Sequence, residues 1–343
     1  MASISTETDD ELLGRIDVVL RHAGFVESGR SAKLERALGT EPAASRSGEA
    51  LTRRSPAGLV VRAYLREQAA TLRRLDPLVR RDEPDAVHQM RVTTRRLRST
   101  LRTFEAVLPA SARRTAADLK WLGGLLGAAR DAEVLAGHLS AIVGELPAEL
   151  VLGPVAARLT GHFAPRRAAA RADLLAALGS GRYLDLLDAL DALCCGRPGG
   201  RAAARPAASE LRKALRRPRR KAGAAMRRAR DARDDAARDA ALHQARKAAK
   251  RARYGAEVAA PVLGGDARRF GRQMKELQSV LGDHQDTVMA RPVIRHIAVT
   301  AWQSGENAFS YGLMYQRDAE AAVGLRRRAR RVWRKASRRR WPD

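Results

Sequence analysis

Two histidines, each leading a row of basic side chains, are the residues best placed to do chemistry. His88, Arg91, Arg95, Arg98 and Arg102 recur three or four positions apart. On a helix they share one face and span about 21 Å at 1.5 Å per residue. Arg96 widens that row. His243, Arg246, Lys250 and Arg253 repeat the pattern, Lys247 and Arg251 widen it, and the row stops at Glu257. A guanidinium presents a fork of donors that fits phosphate oxygens in pairs. A line of them suits a linear chain of phosphates better than one small ion. Histidine adds a donor that charges near neutral pH, and a neighbouring phosphate raises its pKa. For one such helix, a solvated basic face competes with an anion site. Two rows, each led by His in the same phase, favour the anion site.

The rows need helices to carry them. From about Asp85 to Leu108, the apolar positions Val87, Met90, Thr94, Leu97, Leu101, Phe104 and Leu108 make a stripe beside the basic one. Asp85 follows Pro84 and is expected to cap the helix. In the second row's helix the stripe is Leu242, Ala245, Ala249, Ala252 and Ala256, which predicts very close packing against a neighbour. A further motif runs from Lys120 through Leu126-Gly127 to Asp131, and again from Lys275 through Leu281-Gly282 to Asp286. Lys120 and Lys275 are expected to extend the basic surface. Gly127 and Gly282 are expected to let helices approach. Asp131 and Asp286 suit arginine partners better than acid catalysis. His22, His138, His162 and His296 are expected to be structural.

The two motifs keep one offset, 243 − 88 = 155 and 286 − 131 = 155. A constant offset across separated motifs marks an internal repeat, with copies at about 57–195 and 209–341 in a pseudo-twofold relation. Residues 1–50 form an N-terminal extension with nine acidic and six basic residues. Residues 40–56 and 196–208 are rich in Gly, Pro, Ser and Ala and are expected to be linkers. Pro84, Pro109 and Pro147 are expected at helix boundaries.

Composition agrees. The 343 residues carry 65 Lys and Arg against 38 Asp and Glu, a net charge of +27. Such a surplus repels itself unless something negative binds it. Aromatics are 4%, while Ala and Leu, strong helix formers, dominate the apolar content, so an all-α fold is expected. Cys194 and Cys195 are adjacent and cannot anchor a disulfide framework. The polar, acidic start at Met1–Glu11 is no signal peptide, and no apolar run approaches a membrane span. A cytoplasmic protein is expected.

VHQMRVTTRRLRSTLRTF, LGAARDAEVL, LHQARKAAKRARY and LQSVLGDHQD resemble the CHAD family, the conserved histidine α-helical domain. The resemblance covers about 55–341. It implies two four-helix bundles in pseudo-twofold arrangement, with a basic groove or pore at their junction that binds inorganic polyphosphate, and association with polyphosphate granules. It carries His88, Arg91, Arg95, Arg96, Arg98 and Arg102 over from the first half, and His243, Arg246, Lys247, Lys250, Arg251 and Arg253 from the second. Residues 11–39, ending in SAKLERALG, resemble the tail of a CYTH triphosphatase domain, without the alternating acidic motif that such an enzyme needs.

A nucleic-acid-binding protein is the first rival, since arginine–phosphate contacts serve both. No aromatic interrupts the basic rows to stack a base, so nucleic acid is expected only as a weaker competitor. Trp302, Trp333, Tyr311 and Tyr315 are expected in core or interface roles. A metal-dependent phosphohydrolase is the second rival; no compact His/Asp cluster has ligand spacing. A binding protein with no cofactor, rather than an enzyme, is expected. The run Arg326–Arg340 holds ten basic residues and no acid; it is expected to add non-specific affinity as a solvated face or tail. Charge reversal of Arg95 with Arg98, or of Lys250 with Arg253, is expected to cripple binding.

Overall fold

The computed structural model describes residues 51–196 and 199–338, together with Arg15, Val18, Val19, Arg21, His22 and Ala23. Apart from those six positions, the CYTH-like segment 11–39 lies outside the described residues, as do 40–50 of the first expected linker and the chain after Arg338. By backbone contacts the chain divides into residues 1–50 and 51–343.

The expectation of an all-α fold is met. Among the described residues of the second unit the α-helices are α1 (Ala57–Arg80), α2 (Ala86–Thr103), α3 (Ala112–Gly144), α4 (Val155–Leu178), α5 (Gly181–Cys195), α6 (Ala207–Asp231), α7 (Asp235–Leu263), α8 (Gly265–Gln303) and α9 (Phe309–Ser337). Single 3-10 turns sit at Glu105–Val107 and Ala148–Leu150. Pro84, Pro109 and Pro147 do fall between helices, but Pro77, Pro165, Pro218, Pro261 and Pro292 lie inside them. A buried, well-packed helix tolerates the lost backbone bond that proline imposes.

Neighbouring helices in the chain pack on one another within each half, and α5 returns against α1. The halves share their apolar interior. Leu72, Met90 and Leu119 belong to one core with Leu211, Ala249 and Leu277. A smaller core joins the far ends of α3 and α4 (Leu139, Ile142, Phe163) to α8 and α9 (Ile294, Ile297, Met314). Each fully buried Leu or Met contributes on the order of 1.5–3 kcal/mol, so neither half is an independent body.

Backbone bonds at the junction of the halves are reciprocal. Ala57 N–H donates to Arg205 O at 2.9 Å, and Ala207 N–H donates to Ser55 O at 2.9 Å. Gly58 N–H donates to Ala203 O, and Ala208 N–H donates to Arg53 O. Shifting by 150 residues (207 − 57 = 150) exchanges the members of each pair. Pro56 and Pro206, which precede α1 and α6, form the antiparallel bridge between them. Residues 199–206 are therefore no loose linker. Gly200 has φ +119, and a Cβ there would lie 2.7 Å from Ala106 O, so the tight passage requires glycine.

The expected apolar stripes are buried. Met90, Thr94, Leu97, Leu101, Phe104 and Leu108 are nearly inaccessible and Val87 is half-buried, as are all five positions of the α7 stripe inaccessible. Gly255 on α7 takes Leu215 of α6 where a Cβ would sit 2.5 Å from its Cδ2. That contact requires glycine at 255. Asp85 does not cap α2 as expected. Its backbone is left-handed, φ +62, and its carboxylate accepts instead from Gln89 Nε2 at 2.9 Å.

Candidate polyanion-binding cleft

The two basic rows meet. Arg95, Arg98 and Arg102 of α2 and His243, Arg246, Lys247, Lys250 and Arg251 of α7 line one cleft of about 420 Å³ with Ser99 and Tyr254. Seven Lys or Arg side chains and one His face it, and no carboxylate does. The shared core sets this geometry, because burying the Leu/Met stripe of α2 and the Ala stripe of α7 turns both basic faces toward the same gap.

The cleft is strained electrostatically in a way a paired surface is not. Burial pushes the Lys250 ammonium down to about 7, helped by Arg246, Arg95, Arg91 and Arg253. Burial likewise lowers Arg95, against the opposing influence of Tyr254. It lowers Arg251 too, with Arg102, Arg217 and Arg98 adding to it. His88 and His243 sit below the usual imidazole range, first through burial and then through their basic neighbours. His243 Nδ1 donates to Gln285 Oε1 at 2.6 Å. Buried Nε of Arg95 and of Arg246 have no hydrogen-bond partner.

Repeat-related pairs hold the rows. Arg91 donates to Asp131 at 2.7 Å, and the nearest groups to a Cβ at Gly127 are the Arg91 guanidinium nitrogens and Asp131 Oδ2, all at 3.8 Å. The Arg246 guanidinium lies in the same way over Gly282. The two glycines thus make room for an arginine rather than for a neighbouring backbone. Asp286, the counterpart of Asp131, is raised by burial while Arg246 lowers it.

Other predicted residues lie elsewhere. Arg91 and His88 stand beside the cleft without lining it, although Arg91 acts on Lys250. Arg96 and Arg253 face away and share Glu257, each with Nε at 3.1 Å from that carboxylate. Tyr64 donates to the same carboxylate at 3.2 Å. Lys275 is in that outer groove with Arg268 and Arg272. Lys120 is exposed on α3 and lines neither groove.

Glu257 explains the asymmetry. The repeat pairs Arg98 with Arg253, Arg96 with Arg251 and Arg102 with Glu257. On one side of the twofold the trio is Arg98, Arg102 and Arg251, all free to face an anion. On the other, a carboxylate replaces the third arginine and pairs with the remaining two. The Glu257→Gln variant is expected to loosen the α1–α2–α7 contact by about 1–3 kcal/mol, because a partly buried ion-pair network loses its charge. It is also expected to gain polyanion affinity. Thermal melting and a polyanion titration check both.

Lys250 gives a signed prediction. Its unfolded pKa is about 10.4, so between about pH 7 and that value the unfolded chain binds more protons. The cost of the buried charge is full below pH 7 and disappears as pH rises through that window. A bound polyanion raises the Lys250 pKa, so binding above pH 7 takes up a proton and affinity falls as pH climbs. Lys250→Met is expected to stabilise the free protein at pH 7 by about 0.5–2 kcal/mol, the usual size of such a gain at functional sites. It should also flatten the pH dependence of binding. Melts and titrations across this range test it.

Outside the cleft, His138 Nε2 lies 3.0 Å from the buried Asp318, which raises its pKa and ties α3 to α9, a structural role as expected. Cys194 is buried and Cys195 exposed, both free. Of the four aromatics expected in core or interface roles, Tyr311 is buried, Trp333 packs against the main core at the edge of a basic groove, and Trp302 and Tyr315 are exposed. Among the described residues no cluster of three or more His, Cys, Asp or Glu is placed to hold a metal ion. Nor is any helix among them long and apolar enough to cross a membrane.

The architecture has solved counterparts. A crystal structure of the CHAD domain from the plant Ricinus communis superposes with a TM-score of 0.64 at 25% identity, over 86% of this chain and 96% of that one. PptA from Streptomyces chartreusis gives 0.65 at 22% identity, over 82% of this chain and all of that one, a likeness of fold. Two uncharacterized proteins, from two strains of Mycobacterium tuberculosis, are each 38% identical over 328 residues. Those residues are 95% of this chain but only 62% of the relatives' length. The CHAD domain family matches residues 63–295, which include both basic rows and the cleft between them. The chain belongs to the CHAD domain family.

Proposed function

We propose that the protein binds inorganic polyphosphate in the α2–α7 cleft and performs no catalysis there. One observation carries this reading: seven Lys or Arg side chains and a His from two helices line one cleft that no carboxylate enters. The charges destabilise one another until an anion arrives, and a chain of phosphates satisfies many donors at once. Binding of this kind suits recruitment to polyphosphate granules.

Nucleic acid is the second occupant to weigh, because it brings the same phosphates. Tyr254 lines the cleft but is almost wholly buried, so its ring offers no free face for stacking. Titration with long-chain polyphosphate, orthophosphate and single-stranded RNA tests the proposal. Tight binding of the first, negligible binding of the second and displacement of RNA by polyphosphate are expected. RNA that displaces polyphosphate contradicts it. Release of orthophosphate from polyphosphate, with or without divalent cations, contradicts the absence of catalysis.

A further inference from the structure

A second basic groove lies outside the cleft, between α6 and α9. It encloses about 710 Å³, and no carboxylate lines it. Lys213, Arg217, Arg220 and Arg227 of α6 line it, with Trp333 of α9. These four basic residues are exposed. They recur at intervals of four, three and seven, so they share one helix face about 21 Å long. A Cβ at Gly223 would lie 3.0 Å from Trp333 Cζ2, so the glycine lets the indole rest on the α6 backbone.

The groove adjoins the cleft, because α6 packs along α7, which carries Arg251, and touches α2, which carries Arg102. Arg217 lines the groove, yet it acts on Arg251 together with Arg102 and Arg98 of the cleft. Lys221 is lowered by Arg217 first, and also by Arg251 and Arg102. Asymmetry points the same way. At the 150-residue offset that relates the helix starts, α1 carries Ala63, Glu67, Ala70 and Pro77 where α6 carries Lys213, Arg217, Arg220 and Arg227. One half alone has the basic face, and it is the half beside Arg102 and Arg251 rather than the side closed by Glu257.

We propose that cleft and groove form one track: a polyphosphate chain leaves the cleft past Arg102 and Arg251, crosses Arg217 and Lys221, and runs along α6 to Arg227 beside Trp333. This rests on the polyphosphate reading and deepens it. Short chains fill the cleft alone, and long chains engage both segments.

The test is the Arg220→Glu/Arg227→Glu variant, whose sites are exposed and outside the cleft. Tripolyphosphate, long-chain polyphosphate and single-stranded RNA are titrated against it. Loss of two charge-assisted contacts is expected to weaken long-chain binding about tenfold or more and to leave tripolyphosphate nearly unchanged. Arg166→Glu/Arg167→Glu carries the same charge change on exposed residues of α4 that line neither segment. It should leave both affinities nearly unchanged. Equal losses for short and long chains, or equal losses in the two variants, overturn the track in favour of a general field effect. Weakened RNA binding with unchanged long-chain binding overturns it in favour of a nucleic-acid groove. A wild-type protein that binds no polyphosphate overturns the underlying reading itself.

Discussion

Reversing Arg95 and Arg98 to glutamate together is expected to lower affinity for long-chain polyphosphate by about a hundredfold or more, with the second half intact. Both side chains line the cleft beside Arg246, Lys247, Lys250 and Arg251. A hydrogen bond to a charged group contributes about 1.5–3 kcal/mol, and about 1.4 kcal/mol is a factor of ten. Two lost contacts therefore suffice, and the new carboxylates add a further cost by capturing Lys250 and Arg246 themselves. Arg95 is partly buried, so Arg98→Gln/Arg102→Gln serves as the milder companion. Circular dichroism confirms that both variants remain helical, and fluorescence titration reads the affinity.

Salt is expected to act nearly as strongly. Seven cations meet one polymer, and each neutralised phosphate releases a counterion. For nucleic acids with six to ten phosphate contacts, the loss between 50 and 200 mM salt is about 10³–10⁵. A loss of at least about a hundredfold over the same range is expected for this cleft, given the seven cations that line it. The Arg95/Arg98 variant should show a shallower slope. Titrations at four or more salt concentrations read both slopes. A nearly flat response would mean that the rows are solvated faces and that affinity comes from elsewhere.

The basic rows were legible because helical periodicity alone decides which side chains share a face. Arg91, Arg95 and Arg98 needed only a spacing of three and four. The meeting of the rows was legible too, through the constant offset that put His88 and His243 in register. The fate of Arg96 and Arg253 was not. Their spacing matches that of Arg98, but a single carboxylate, Glu257, reaches both across helices, and periodicity carries no information about cross-helix partners. Positions within helices differed as well. His88 is the third residue of α2, whereas His243 is the ninth of α7, because α7 starts earlier relative to the motif.

The basic face of α6 shows the same limit. The run RKALRRPRRK at 212–221 is conspicuous, yet its place beside Arg102 and Arg251 depends on how α6 packs against α7. The segment 196–208 read as a linker because Gly, Pro and Ala are common in loops. In the fold Gly199 and Gly200 are small because they pass against Pro109 and Ala106, and Ala202 and Ala203 because they are buried. Asp85 had a capping residue's identity and position, but a left-handed backbone took its carboxylate elsewhere.

The most direct test of a single site built by both halves is calorimetric titration of long-chain polyphosphate into three proteins. These are the wild type, Arg95→Glu/Arg98→Glu, and Arg246→Glu/Lys250→Glu. In the last pair Arg246 takes the place of Arg253, since Arg253 is engaged by Glu257 outside the cleft. A shared cleft predicts that either pair of substitutions alone abolishes tight binding. Near wild-type affinity in either variant, with the stoichiometry merely halved, would show two independent sites and contradict it.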